Sequence, residues 1–470
     1  MTSANKKNFI ISAWEKTVDR RAVDPAIFSV AGGVLRTFAE IEKSSRDLED
    51  NLAVFEPDSV VAIRLGNSPD WPAVLLALMR RGLVPMPMGL HIEKLERDIT
   101  LEACRVSGII ETAPGGALEF KPLPRAPVHE KPKCDFLKLT CGSGSVPRAI
   151  RFQSEQLIVD CDNLCETMGI TGSDLNFGAI PFSHSYGFSN LITPLLCRGV
   201  PLVASEERMP RAILTDIART GATVFPGMPI FYQSFAEMQN IPELPLLRLC
   251  ISAGAPLARA TAEKFSQKFG LKIHSFYGAS ECGGIGYDAS DALDYVDSFL
   301  GSPLHNVKVN PLEESSLIEI RSGAVGDGYF PEDDPQKLGG GRFIPYDLVQ
   351  QTARGMVLSG SVSDVINIAG RKLNPPEVEA LLQRLPGVKQ AVVFGVPSQL
   401  RNEEPVACIA GSATMSEVVE QAQSLLGAWQ MPRDFWLVDA IPTGEGGKIN
   451  RRALARSYLE RRSLGLSVKL

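Results

Sequence analysis

In residues 138–152, KLTCGSGSVPRAIRF, a short apolar run leads into a loop of glycines and hydroxyl residues. Glycines let backbone N–H groups converge on an anion, and the hydroxyls of Thr140, Ser143 and Ser145 are further donors. Arg148 adds a permanent charge. No Gly-Lys-Ser/Thr follows the glycines, so this is not a Walker loop. The stretch predicts a phosphate-binding loop, although a Gly/Ser cluster is also typical of an ordinary surface loop.

The composition predicts a globular protein of more than one domain. A chain of 470 residues suggests two or three domains, and 44% hydrophobic with 22% charged residues is ordinary for a protein with a large core. The net charge of −6 argues against nucleic acid or an anionic membrane as a partner. The N-terminus lacks a signal-peptide core, and no apolar run is long enough to span a membrane. We therefore expect a soluble, cytoplasmic protein.

The cysteines fit the same compartment. The chain has nine, and none forms a Cys-x-x-Cys pair. The spacing therefore indicates neither a zinc site nor a disulfide framework, and reduced thiols are expected.

Strand-length and helix-length runs alternate on both sides of the glycine loop. Val60–Leu65 predicts a strand, and Asn67-Ser68-Pro69 predicts the start of a helix that ends near Arg81. The alternation predicts a large α/β domain with parallel strands. Ligands of such sheets bind beyond the carboxyl ends of the strands. The glycine loop, Pro181–Gly187 and Tyr277–Glu281 are expected there.

A change to small polar residues near Ser359–Asp364 predicts a hinge. It divides the chain into a domain of residues 1–360 and a domain of residues 361–470, with the hinge at about 361–364. In the second domain, Ser416 is expected to cap a helix over Glu417–Leu426, and Arg452–Arg461 predicts a last helix.

Two loops carry groups suited to chemistry. Phe276–Cys282, FYGASEC, ends a strand with a hydroxyl and a carboxylate, and Glu281 is a candidate Mg²⁺ ligand beside a triphosphate. A solvated loop glutamate is the alternative. Ile441–Leu454, IPTGEGGKINRRAL, sets Lys448 among glycines, which suits a cation delivered to an active site. The alternative is an ordinary surface lysine.

Two further segments have weaker signals. Ile251–Leu257, ISAGAPL, offers small residues after a strand, where a planar ring would lie against backbone, and a tight packing turn is the alternative. Pro181–Gly187, PFSHSYG, places His184 and Tyr186 beside a glycine. A histidine alone is more often structural than functional.

Taken in order, these segments resemble the AMP-forming adenylate ligase superfamily, most closely its acyl-CoA synthetases. The resemblance extends from about Arg36 to Leu454. It implies an α/β fold with a large multi-sheet N-terminal domain and a small hinged α+β C-terminal domain. It also implies ATP, Mg²⁺ and CoA as cofactors.

The resemblance assigns a role to each matching position. Ser280 and Glu281 match the pair that meets the α-phosphate and Mg²⁺, Gly370 the glycine beside the pantetheine arm, and Lys448 the lysine essential for adenylation. The residues implied to hold the leaving pyrophosphate are Thr140, Gly142, Ser143, Gly144, Ser145 and Arg148. The residues implied along adenine and ribose are Gly254, Ala255, Pro256, Tyr277, Gly278 and Asp347.

The implied reaction has two halves. A carboxylate attacks the α-phosphorus of ATP to give acyl-AMP and pyrophosphate, while Lys448 counters the negative charge that concentrates there. The C-terminal domain then rotates about the hinge, and a thiol attacks the anhydride to release AMP.

The chain departs from the family pattern in several places. Arg148 replaces the usual lysine, and Gly144-Ser145 replaces Thr-Gly. The arginine that helps to hold ribose is Ser361 here, and the hinge residue is Ser363. These changes bear on nucleotide affinity and hinge control, which keeps open a non-catalytic protein that binds adenylate.

The acid is expected to be a fatty or aryl carboxylate. Pro181–Gly187 has no aspartate to pair an α-ammonium, so an amino acid is unfavourable. Gly278 lies where acetate-specific relatives carry a tryptophan, which leaves the pocket open, and His184 and Tyr186 would line it. No carrier domain follows Leu470, so the thiol is expected in trans, from CoA or from an acyl-carrier protein.

Overall fold

The computed structural model describes residues 8–92, 94–124, 131–140, 148–312, 316–361, 364–368, 371–398, 402–443 and 449–463. The chain forms two compact units. The first consists of residues 1–311, 319–345 and 354–356, and the second of residues 312–318, 346–353 and 357–470. The boundary predicted at residue 360 stays a prediction.

The helices of the first unit alternate with its strands. The α-helices are α1 (Phe9–Arg21), α2 (Phe38–Asp47), α3 (Trp71–Arg80), α4 (Lys94–Ala103), α5 (Ser154–Met168), α6 (Ser185–Gly187), α7 (Thr193–Arg198), α8 (Pro210–Thr220), α9 (Pro229–Glu237) and α10 (Arg259–Phe269). A 3₁₀ turn covers Asn51–Val54, and a π-helical turn covers Phe188–Ile192.

The strands up to residue 343 are β1 (Pro25–Ser29), β2 (Val34–Thr37), β3 (Val60–Arg64), β4 (Val84–Pro87), β5 (Val106–Thr112), β6 (Leu118–Pro122), β7 (Phe136–Thr140), β8 (Arg148–Phe152), β9 (Asn176–Gly178), β10 (Leu202–Ala204), β11 (Val224–Gly227), β12 (Leu249–Ser252), β13 (Ile273–Ala279), β14 (Gly283–Tyr287), β15 (Phe299–Pro303), β16 (Lys308–Pro311), β17 (Ile318–Arg321), β18 (Gly328–Phe330), β19 (Leu338–Gly339) and β20 (Arg342–Phe343).

The later elements are β21 (Asp347–Thr352), β22 (Gly355–Ser361), β23 (Ile366–Ile368), β24 (Arg371–Leu373), α11 (Pro375–Leu382), β25 (Val388–Ser398), β26 (Asn402–Gly411), α12 (Met415–Leu425), β27 (Asp434–Val438) and α13 (Arg451–Ser463).

Parallel pairing dominates the largest sheet of the first unit. Its order runs β2-β1-β10-β9-β11-β12-β13-β14-β15, and the pairs from β1 through β13 are parallel. The chain then turns back, because β14 is antiparallel to β13. A second sheet has the order β4-β3-β5-β6, and a third has β18-β8-β7. The predicted α/β fold with parallel strands is confirmed.

The helix predicted to start at Asn67-Ser68-Pro69 begins later, at Trp71, with Pro72 in its first turn. Asn67 is occupied elsewhere: its side-chain nitrogen donates to the carbonyls of Gly178, Ile180 and Ser205. Its side-chain oxygen accepts from the N–H of Phe182. A buried amide with every bond satisfied joins neighbouring segments and leaves nothing for a helix cap.

In the second unit, two apolar faces alternate along one sheet of order β24-β23-β26-β25, with β27 beside β26. Val393 and Ala407 face a core that α11 and α12 cover, whereas Val392 and Cys408 face a core that includes Leu454 of α13. This period of two is the expected consequence of strand geometry.

The cap predicted at Ser416 is wrong. Thr414 is the N-cap of α12: its hydroxyl accepts from the Glu417 N–H, and the Glu417 carboxylate accepts from the Thr414 N–H. In a capping box the carboxylate is the third residue after the cap, as Glu417 is after Thr414, whereas Ser416 lies directly before Glu417.

The described cysteines are all buried and none is in a disulfide: Cys104, Cys134, Cys161, Cys165, Cys197, Cys250, Cys282 and Cys408. Among the residues that the structure describes, no helix has the length and apolarity needed to cross a membrane.

Candidate active site

The candidate site lies in the first unit, at the carboxyl ends of three parallel strands. The hydroxyl of Tyr186, which follows α6's first residue, lies 3.3 Å from the carbonyl oxygens of both Gly227 and Ile251. Gly227 is the last residue of β11, and Ile251 is the last but one residue of β12. Tyr186 therefore joins the segment 181–187 to the carboxyl ends of the parallel strands, where the sequence predicts this segment.

The hairpin between β13 and β14 carries the predicted catalytic pair. Ala279 pairs with Gly283, and the N–H of Cys282 donates to the Ala279 carbonyl at 3.3 Å, so Ser280 and Glu281 are at the turn. The Ser185 hydroxyl donates to Ser280 Oγ at 2.8 Å. The tip of the hairpin is thus held against α6.

Asp160, on α5, fixes the hairpin from behind. It is 3% exposed, and its carboxylate accepts from the N–H of Gly284 at 2.9 Å and from the Ser189 hydroxyl at 2.6 Å. Gly283 has a φ of +69°, and a Cβ there would lie 1.9 Å from Asp160 Oδ1. Only glycine fits, because the conformation is left-handed and the space is already filled.

Glu281 and Arg148 meet through Tyr329. The Tyr329 hydroxyl donates to Glu281 Oε1 at 3.1 Å, and the Arg148 guanidinium carbon lies 4.2 Å from the centre of the Tyr329 ring. Burial, followed by the charge of Glu281, raises the pKa of Tyr329, so its hydroxyl stays a donor. The Gly326 N–H also donates to the Glu281 carbonyl at 2.9 Å. The predicted metal carboxylate and the predicted phosphate cation are therefore neighbours.

Strand pairing explains this meeting. In the third sheet, Thr140 of β7 pairs with Arg148 of β8, so both ends of the glycine loop are adjacent. On the other side of β8, Phe330 pairs with Ala149 and Tyr329 with Ile150. β18 therefore brings Tyr329 to the end of the predicted phosphate loop.

Two further lysines lie near this group. Burial lowers the pKa of Lys138, while the charges of Asp160, Cys282 and Glu281 act in the opposite sense. Burial also lowers the pKa of Lys337, and the positive charge of Arg148 acts in the same direction. The negative charges of Asp334 and Glu281 act in the opposite direction. Both cations thus share the electrostatic surroundings of Glu281.

The predicted adenine turn follows β12. Gly254 has a φ of +88° with open space around a Cβ, and it is exposed, as is Pro256, whereas Ala255 is half-buried. Tyr277, in β13, is half-buried and pairs with Gly286. The turn has the room and backbone exposure that stacking of a ring would need, and the adenine assignment stays a prediction.

The predicted pocket residues lie beside the same edge. His184 is exposed, and its Nδ1 accepts from the Tyr186 N–H at 3.2 Å as the cap of α6. A Cβ on Gly278 would lie 2.8 Å from the Gly283 carbonyl oxygen. The packing of the hairpin therefore requires glycine at 278. This is a second explanation for the glycine, in addition to the predicted open pocket.

The roles predicted for the remaining site residues stay predictions. Asp347 begins β21 in the second unit. The residues that lie outside the described ranges are Gly142, Ser143, Gly144, Ser145, Gly370 and Lys448.

The sequence reasoning missed Lys138, Asp160 and Tyr329. A lysine inside the apolar strand FLKLT, just before a glycine loop, is the signal that would have drawn attention to Lys138. Asp160 and Tyr329 have no comparable local signal, because both act on partners distant in the chain.

The group at Glu281 suits Mg²⁺ bound together with a nucleotide. Mg²⁺ in phosphate sites takes one or two carboxylates and completes its shell with phosphate oxygens and water. In the described part of the chain no cluster of three or more metal-binding side chains occurs. Glu281, oriented by Tyr329, is a fitting single carboxylate for such a shared shell.

Comparison with known proteins gives a consistent result. The family model described as "AMP-binding enzyme" matches residues 12–329, and that described as "AMP-binding enzyme C-terminal domain" matches residues 377–448. The chain is similar to "4-coumarate--CoA ligase-like 9" of Oryza sativa subsp. japonica, 24% identical over 96% of this chain and 92% of the relative. It is also similar to "Feruloyl-CoA synthase" of Amycolatopsis sp., 24% identical over 96% of this chain and 100% of the relative.

Among solved structures, ATP-bound MatB from Rhodopseudomonas palustris superposes with a TM-score of 0.83 at 22% identity, covering 95% of this chain and 99% of that one. This likeness confirms the fold of the large multi-sheet domain with a smaller C-terminal domain.

Proposed function

Because the chain belongs to the AMP-binding enzyme family, we propose that it is an AMP-forming ligase that joins a carboxylic acid to the thiol of CoA. The observation that carries the proposal is that Arg148 and Glu281 meet at one tyrosine, Tyr329: Arg148 lies over its ring, and Glu281 accepts a hydrogen bond from its hydroxyl. A phosphate-binding cation and a metal-binding carboxylate in one place are what a magnesium nucleotide needs.

In the first step, an oxygen of the acid bonds to the α-phosphorus of ATP, and the bond from that phosphorus to pyrophosphate breaks. Arg148 stabilises the departing negative charge, and Ser280 donates to the α-phosphate. Glu281 would hold Mg²⁺, which when bound would neutralise phosphate charge. Lys448 approaches the same phosphoryl oxygens, as the family resemblance implies.

In the second step, the CoA sulfur bonds to the carbonyl carbon of the acyl-adenylate, and AMP leaves with the electrons of the C–O bond. The family resemblance implies that the pantetheine arm passes beside Gly370, and that the C-terminal domain exchanges Lys448 for Gly370 by rotation about residues 361–364. These assignments rest on the motif positions alone.

We further propose that the acid is an aryl acid or a longer aliphatic acid. The two relatives named above are a feruloyl-CoA synthase and a coumarate-CoA-ligase-like protein, which supports an aryl acid. The Tyr186 ring centre lies 5.9 Å from that of Phe276, an aromatic wall beside Gly278 that suits a planar ring. We place the reaction in the cytoplasm, as the sequence predicts.

The test is mass spectrometry of the products from ATP, Mg²⁺ and a panel of aryl and aliphatic acids, with and without CoA. We expect acyl-CoA from one chemical class of acid. Acyl-AMP that accumulates in the presence of CoA would instead indicate an acyl-carrier protein as the acceptor.

Lys448→Ala should abolish adenylate formation, whereas Lys389→Ala, which removes an exposed lysine of the second unit, should leave it intact. Nucleotide binding without adenylate formation from any acid would overturn the proposal in favour of a binding protein.

A further inference from the structure

Lys138 is a buried lysine next to the predicted phosphate loop. It lies in β7, and the residue is 4% exposed. Side chains alternate along a strand, so Lys138 shares its face with Thr140, the first residue assigned to the loop. The Lys138 ammonium lies 4.7 Å from the ring centre of Phe152 and 5.4 Å from that of Phe188.

The positive charge of Lys138 is offset mainly by groups that do not contact it. Among the described residues, none forms a hydrogen bond or an ion pair with Lys138. The two rings contribute cation–π attraction, which is stronger at a desolvated site than at an exposed one. The carboxylates of Asp160 and Glu281 act electrostatically in favour of its charged form. A buried cation without a contact partner is unfavourable for folding alone.

Asp160 connects Lys138 to the hairpin. Ser189, directly after Phe188, donates to Asp160, and Asp160 accepts from the N–H of Gly284. The hairpin that carries Glu281 therefore rests on a buried carboxylate, and a buried ammonium lies in the same cluster. On its other side, Glu281 accepts from Tyr329.

We propose that Lys138 is a positioning residue for adenylate formation, whose buried ammonium, balanced by Asp160, provides a fixed positive charge in β7, close to the hairpin that carries Glu281. The inference rests on the proposed function, because it takes Glu281 and the loop as the site of the magnesium nucleotide. A fixed charge in a dry site attracts phosphate without reorganisation when the nucleotide arrives.

The test compares wild type with Lys138→Met, Asp160→Asn and the double variant. Each single change leaves one buried charge without its counterpart, so each should lower the melting temperature. The double variant removes both charges and should regain most of the lost stability.

Function should not recover with stability. In the double variant we expect MgATP binding, measured by calorimetry without acid, to be about 10-fold weaker than in wild type. Acid-dependent pyrophosphate release should show a raised KM for MgATP and an unchanged KM for the acid. Recovery of MgATP affinity together with stability would show that Lys138 only balances Asp160, and would overturn the inference.

The binding arm separates this inference from the proposed function. If wild type releases no pyrophosphate with any acid, the proposed function fails, and the difference in MgATP affinity between wild type and the double variant still decides the role of Lys138. A wild-type protein that does not bind MgATP overturns both.

Discussion

Asp160 and Gly283 occupy one space: a Cβ on Gly283 would lie 1.9 Å from the Asp160 carboxylate oxygen. Because the same carboxylate accepts from the N–H of Gly284, helix α5 fixes the position of the β13–β14 hairpin. Ser280 and Glu281 are at the tip of that hairpin, so their placement depends on a contact that neither residue makes.

Gly283→Ala should destabilise the protein by about 3 kcal/mol, the sum of a left-handed alanine and an overfilled site. Gly270→Ala is the matched control, because Gly270 has a similar φ of +67° and open space around a Cβ. It should cost only about 1 kcal/mol, the conformational part. Urea denaturation measures both, and equal losses would contradict the contact with Asp160.

Tyr329→Phe should lower the apparent affinity for MgATP about 10-fold, because residues that orient a metal ligand commonly have effects of this size. The change removes the hydroxyl that donates to Glu281 and keeps the ring over which Arg148 lies. Tyr295→Phe is the control: it removes a hydroxyl that bonds to Ser266 and accepts from the Ile273 N–H, at the end of β13 opposite to the hairpin turn. Steady-state KM values for MgATP should change in the first variant and not in the second.

The carboxylate of Asp174 gives a prediction about pH. Burial would raise the pKa of Asp174, but hydrogen bonds from Arg248, the Thr171 N–H and the Thr223 hydroxyl outweigh it, so the pKa lies below its usual value. A carboxylate whose pKa is lowered by folding stabilises the protein at pH values above its pKa in the unfolded chain. This stabilisation is lost as the pH falls through its pKa in the folded protein.

Asp174→Asn should therefore cost about 2 kcal/mol at neutral pH. The difference from wild type should shrink as the pH falls below about 4, where the carboxylate of the unfolded chain is protonated. Asp439→Asn, at an exposed position, should show no such change. A difference that stays constant down to acid pH would rule out the ionised Asp174 as its source.

Arg451, the first residue of α13, should stabilise the second unit through its ion pairs. Its guanidinium donates to Asp364 at 2.8 Å and to both oxygens of Glu379 at 2.8 and 2.9 Å. Arg451→Met leaves these carboxylates without their cation and should destabilise the unit by about 3 kcal/mol. Hydrogen exchange of the β25 and β26 amides would report the loss locally.

Adding Glu379→Gln to Arg451→Met should restore part of the protection, because the amide oxygen still accepts from the Val393 N–H without a buried charge. Unchanged exchange in the single variant would show that the ion pairs contribute nothing to this unit.

The sequence predicts those features that depend on neighbouring residues. The parallel sheet follows from alternating strand-length and helix-length runs, and the edge that gathers Tyr186 and Ser280 follows from the rule that loops after parallel strands meet. The α/β fold is therefore predictable from the order of its strands and helices.

Features that depend on distant residues were not predictable. Tyr329 and Glu281 are 48 residues apart, and Asp160 and Gly284 are 124 apart, so no local pattern indicates either bond. The errors at Asn67 and Ser416 have the same origin on a smaller scale. In each case a residue with a cap-forming side chain lay near a helix, and a competing hydrogen-bond arrangement took precedence.

The buried cysteines have a practical consequence for labelling. Burial raises the pKa of Cys104 and of Cys250 to about 12, and reagents that modify cysteine react with the thiolate. Within the described part of the chain, the cysteines should therefore consume little of a disulfide dye at neutral pH, which favours the use of such a dye to count free CoA during turnover.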